Sequence, residues 1–118
     1  MLPTTTPVHF EPEVLHKTID RLLSYRPRRI VQTHFGPVTD LERLARDLHA
    51  DLNALVVMAR RHAAAPDRAR RIQHDMFEHF NARLDAHGYA GSLARRHEFL
   101  DEDVNLNTQG LEVWLSRP

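Results

Sequence analysis

No cysteine occurs anywhere in the 118 residues. That absence excludes disulfides, thiolate zinc sites and cysteine nucleophiles, and it is compatible with a reducing compartment. No apolar run approaches the roughly 20 residues that a membrane span needs. The opening Met1-Leu2-Pro3, followed by three threonines, lacks the basic and apolar regions of a signal peptide. These features predict a soluble, cytoplasmic chain. An excess of either charge is also missing, because sixteen basic and sixteen acidic residues cancel. No global field draws the chain to nucleic acid or to an anionic membrane. Glycine-rich phosphate loops, His-Glu-x-x-His zincin motifs and Gly-x-Ser-x-Gly elbows are absent as well. Such a length fits one domain, 1–118, and no linker or repeat divides it.

What is present is mostly helical periodicity. Pro3 to Phe10 read as an extended entry segment. Glu11-Pro12 opens the first helix, since proline suits a first helical position. Val14, Leu15, Ile19, Leu22 and Leu23 then mark one face until Pro27 ends the helix near Tyr25. Arg28 to Gln32, with β-branched Ile30 and Val31, predicts a short strand that Gly36-Pro37 stops. Thr39-Asp40-Leu41-Glu42 matches a capping box. It starts a second helix with the stripe Leu41, Leu44, Leu48, Leu52, Leu55, Val56 and Ala59, and with arginine and aspartate opposite.

The second helix is expected to end near Ala64. A third runs from Pro66 to His87-Gly88, a glycine C-cap, and buries Ile72, Met76, Phe77, Phe80 and Leu84. Helices two and three form an antiparallel hairpin on this reading. Tyr89 to Phe99 fits a helical turn or a loop equally. A last helix spans Asp101 to Ser116, with its acids at the positive end of the dipole and Val104, Leu111, Trp114 and Leu115 inward. The expected fold class is mainly α: about four helices plus one short β-strand.

The candidate functional residue is His34, in Thr33-His34-Phe35-Gly36-Pro37. It sits where a strand meets a tight turn ahead of an amphipathic helix. Strand ends hold ligands well because the strand fixes the Cα and the loop frees the side chain. A catalytic zinc needs about three protein ligands, so one histidine does not complete a site. Other histidines have simpler uses. Glu13-x-x-His16 has the spacing of di-metal bundles, yet it occurs once and lies with Asp20 off the apolar stripe, on a solvated face. His74-Glu78 and Asp75-His79 are i,i+4 helix pairs. Arg60-Arg61-His62, Arg68 to Arg71 and Arg95-Arg96 are diluted by nearby aspartates and glutamates and read as charged exterior.

The run Pro27 to Leu48 resembles the metallo-β-lactamase fold, in which a late strand delivers a final metal-binding histidine in a Thr-His-x-Gly-like turn before a helix. The resemblance extends to Thr4–Glu13, similar to the stretch before the late helix, and to Asn105–Leu111 with Trp114-Leu115, similar to the closing helix. The family signature His-x-His-x-Asp-His is absent. The resemblance therefore implies the C-terminal helical portion of such a hydrolase. His34 would give one ligand to the zinc of the complete parent site, and the chain alone would not be catalytically competent. Lactam, lactone, thioester and phosphodiester substrates all stay open.

The resemblance also implies lost cover for Leu15, Ile19, Leu22, Leu48 and Leu55. The expected partner is the missing N-terminal half of the fold, or a second copy in a two-fold dimer. The competing reading is an independent helical protein-interaction module without enzymatic activity. A helix-turn-helix DNA binder has only scattered arginines in its favour.

Overall fold

A computed structural model describes residues 3–5, 10–33 and 36–117. Four helices and a two-stranded antiparallel ribbon follow one another as α1 (Pro12–Ser24), β1 (Ile30–Gln32), β2 (Gly36–Val38), α2 (Leu41–His62), α3 (Arg68–Ala86) and α4 (Leu93–Leu115). No helix among the described residues is long and apolar enough to cross a membrane. The chain divides into two compact units, essentially residues 11–54 and residues 4–10 with 55–118. The division falls inside α2, without a linker.

In the first unit, α1 begins with Pro12 in its first turn and ends at Tyr25, as the proline placement requires. It has an apolar and a polar face, yet none of its residues is buried. The ribbon pairs Ile30 with Val38, Val31 with Pro37 and Gln32 with Gly36. Here the sequence expectation needs correction, because Gly36-Pro37 does not merely stop a strand but begins a second one. Gly36 has φ +78, a region open to glycine and costly for residues with a Cβ. Pro37 lacks an N–H, which an edge position tolerates. Exposure alternates along both strands, with Val31 and Pro37 outward.

Helix α2 starts one residue later than the Thr39 cap predicts. The first helical bond runs from the Leu44 N–H to the Asp40 carbonyl, which makes Asp40 the cap and moves Glu42 out of the capping-box position. Asp40 also pairs with Arg43 at 2.5 Å. Along the stripe, Leu41, Leu44 and Leu48 are half-buried, whereas Leu52 and Leu55 are buried. Leu55 is thus not an uncovered residue, contrary to the expectation from the resemblance; it belongs to the core of the second unit. Asp51, expected on the charged side, is fully buried.

The second unit has a closed core of Phe10, Leu55, Met58, Ala59, Ile72, Met76, Phe77, Phe80, Leu100, Val104 and Leu111. Helices α3 and α4 run antiparallel. Arg68 meets Glu112, Gln73 meets Asn105, and Arg96 meets Asn81, so partners rise on one helix as they fall on the other. At the start of α3, Asp67 accepts from Arg71 Nε at 2.6 Å and from Arg70 at 2.7 Å. These two hydrogen bonds, Arg71 first, hold its carboxyl down at about 2. The sign follows: any stability from this group is present above the ordinary carboxylate value of 3.8 and is lost as pH falls toward about 2.

The glycine C-cap of α3 forms as expected. Gly88 has φ +75, the Tyr89 N–H donates to the Leu84 carbonyl and the Gly88 N–H to the Asp85 carbonyl, the two bonds of a Schellman motif. The final helix is longer than Asp101–Ser116. Ser92 caps it, accepting from the Arg95 N–H at 3.4 Å, so Tyr89–Gly91 is loop and Leu93–Phe99 is helix. Asp101, Glu102 and Asp103 consequently lie mid-helix, away from the helix's positive end, and are exposed except that part of the Asp103 carboxyl is shielded. Partial burial, then Glu102 beside it, pushes the Asp103 carboxyl up.

The entry segment is anchored into this unit by specific bonds. The Thr5 N–H donates to Asn107 Oδ1 at 2.6 Å and the Thr5 hydroxyl to the Asn107 carbonyl at 2.8 Å, all of it buried. Phe10 packs edge-on against Trp114 at 5.7 Å. Arg117 donates to the Phe10 carbonyl.

Candidate functional site

His34 and Phe35 lie outside the described residues, so the metal-ligand assignment rests on what flanks them. In sequence they fall between Gln32 and Gly36, the last pair of the ribbon. On the inward side of the ribbon, Ile30, Gln32 and Val38 face an apolar groove of about 150 Å³ completed by α1 and α2. Ile19, Leu22 and Leu23 come from α1, and Leu41, Leu44, Ala45 and Leu48 from α2. The lining is almost wholly hydrocarbon. Nothing in it acts as an acid, base or nucleophile.

The first unit also brings His16 and Asp20, which the sequence places on one face of α1, together with His49 and Asn53 of α2. His16 on α1 meets His49 on α2, with Nδ1 atoms 2.5 Å apart. His49 Nε2 bonds Asp20 Oδ1 at 3.0 Å, and His16 Nε2 bonds Asn53 Oδ1 at 3.1 Å. Glu13 and Asp20 are exposed, as the solvated-face assignment expects, whereas His16 is half-buried and corrects it at that position. A signal existed in the sequence. His16 and Asp20 each follow a stripe residue of α1, Leu15 and Ile19, and His49 and Asn53 each follow a stripe residue of α2, Leu48 and Leu52. Two i,i+4 polar pairs on matching flanks are poised to meet when the stripes pack.

In the second unit an open cleft of about 540 Å³ runs between α3 and α4, lined by Arg70, His74, Phe77, Glu78, His97 and Asp101 among others. The His97 ring stacks on Phe77 at 4.2 Å and its Nδ1 bonds Asp101 at 2.8 Å. Both members of that pair are about half exposed or more. Asp75 accepts from His62 Nε2 at 2.8 Å and from Arg61 at 3.4 Å.

The arginine runs are spent on structure. Arg68 pairs with Glu112 at 2.9 Å, Arg95 with Glu98, and Arg60 lies over the Trp114 ring. Arg96 donates to Asn81 Oδ1, the Tyr89 carbonyl and the Gly91 carbonyl at 2.7–3.0 Å and pairs with Asp85. It thereby ties the α3–α4 loop down. A Cβ on Gly91 would overlap the Tyr89 ring, which explains glycine there. The charged-exterior reading holds for Arg60, Arg61, Arg70, Arg71 and Arg95, which are exposed, but not for Arg96, which is largely buried.

Among the described residues no three His, Asp or Glu side chains come together in a way that could hold a metal ion. The donor set for zinc, which in a catalytic site needs three protein ligands, is not furnished by them. The chain matches no protein-family model, no curated protein and no solved structure.

Proposed function

We propose that this chain is the C-terminal helical portion of a metallo-β-lactamase-superfamily hydrolase, and that it contributes His34 as one metal ligand to a parent site whose other ligands lie outside residues 1–118. The observation that carries this reading is the half-built first unit. Helix α1, strand β1 and helix α2 follow in the order of the resemblance, with strand β2 added ahead of α2, and α1 has an apolar face but no buried residue. Amphipathic helices hold their place by burying that face. A sheet layer supplied by an N-terminal part of the parent would cover it and fill the apolar groove. A second copy of the chain is the alternative cover.

A different reading, an independent helical protein-interaction module, is favoured by the closed core of the second unit, which needs no further layer. Zinc titration calorimetry with a parallel hydrolase screen separates the two extremes. For the purified chain the expected result is no tight stoichiometric zinc binding and no turnover above background, unchanged in His34→Ala. One imidazole leaves most of the coordination sphere to solvent, and metal sites need several fixed ligands. Tight one-to-one binding with hydrolysis that His34→Ala abolishes would contradict the proposal.

A further inference from the structure

The His16–His49 contact has a geometry that constrains its chemistry. The ring planes differ by 9° and the centroids lie 4.8 Å apart, while the Nδ1 atoms are 2.5 Å apart. The centroid distance is close to the nitrogen–nitrogen distance plus one ring radius on each side. The imidazoles therefore meet edge to edge in nearly one plane, each Nδ1 aimed at the other. The outer nitrogens are engaged by Asp20 Oδ1 and Asn53 Oδ1. A carboxylate oxygen and an amide oxygen both accept, so each Nε2 carries a hydrogen and each Nδ1 presents a lone pair.

Two lone pairs head-on at this distance repel. One proton between them converts the contact into a charge-assisted hydrogen bond, the class that is short. We infer that His16 and His49 share a single proton, forming an imidazole–imidazolium clasp that fastens α1 to α2 and opens when the number of protons on the pair changes. Removing the shared proton restores opposed lone pairs. Adding a second opposes two N–H donors. Asp20, on α1, is the charged group in hydrogen-bond contact with the pair and balances the shared proton; the contact from α2 is the neutral Asn53 amide.

The clasp has leverage because α1 is otherwise weakly held. With no buried residue, it belongs to the low-stability end of the fold, where local opening is easy. Ile19, Leu22 and Leu23 of α1 line the apolar groove, so opening the clasp uncovers the groove's α2 and ribbon walls. The device makes exposure of that apolar surface depend on pH, whatever the surface docks against.

The test is nuclear magnetic resonance of the chain labelled with 15N-histidine, over the range of about pH 5 to 8 in which imidazoles titrate. A single low-field proton coupled to Nδ1 of both rings is expected. His16→Gln and His49→Gln should each abolish it. Amide exchange in α1 should be slowest where that signal is strongest and faster on either side, while α3 and α4 report that the second unit stays folded. Two histidines that titrate independently, with no shared proton, would overturn the inference. So would α1 exchange that is indifferent to pH and to both substitutions.

Discussion

Phe80→Ala is expected to lower the unfolding free energy of the second unit by about 3–5 kcal/mol, the usual cost of emptying an aromatic site in a packed core. Phe80 is 0% exposed and lies on α3 one turn beyond Met76 and two turns beyond Ile72, which are equally closed to solvent. The core residues come from the entry segment and three helical segments, so collapse around the vacated ring has to move several elements at once. Stabilities of whole domains are only about 5–15 kcal/mol, and such a loss consumes much of the margin. Urea denaturation followed by α-helical circular dichroism measures it. A fall below about 1 kcal/mol would mean that the helices are packed differently from this account.

The second large effect is expected at Asn107, which carries no chemistry but fixes the entry segment. Its Oδ1 and backbone carbonyl take the Thr5 N–H and hydroxyl in a fully buried contact. Asn107→Leu preserves bulk and apolar character yet strands the Thr5 N–H, at a cost of about 1–3 kcal/mol for a buried orphan donor. Release of Phe10 from Trp114 adds to that. The expected sum is about 3 kcal/mol, together with new protease sensitivity at Thr4 and Thr5. Thr5→Val, which keeps the backbone N–H bond, should cost distinctly less. Equal costs for the two substitutions would show that the backbone bond is not what holds the segment.

Helix positions were legible because their signals are local. Pro12, Pro27, the Gly88 cap and the leucine stripes act within a few residues of where they stand, and the first three helices follow them. The second strand was not legible. Gly36-Pro37 carries the signature of a strand stop, and only pairing with Ile30–Gln32 across the connection makes it a strand. The extent of α4 failed for a related reason. Three acids at Asp101–Asp103 imitate a helix start, whereas the Ser92 hydroxyl supplies the cap nine residues earlier.

Polar groups in the interior were the hardest to read. Asn107 and Thr108 occupy the i+3 and i+4 places between Val104 and Leu111, the inward positions of the helix, and they are buried there. Two polar residues on an apolar stripe announce a buried partner without saying which one. His16 and His49 present the same problem across two helices, since each looks solvated until the stripes pack. His34, the candidate metal ligand, lies outside the described residues, between the paired Gln32 and Gly36 in sequence.

The proposal that this polypeptide is one part of a larger metallohydrolase is tested most directly by sequencing the transcript that encodes it, upstream of Met1. The account predicts an open frame continuing upstream into a His-x-His-x-Asp-His motif. A stop codon in frame just ahead of Met1, with no such motif before it, would contradict the account and leave the helical interaction module in its place.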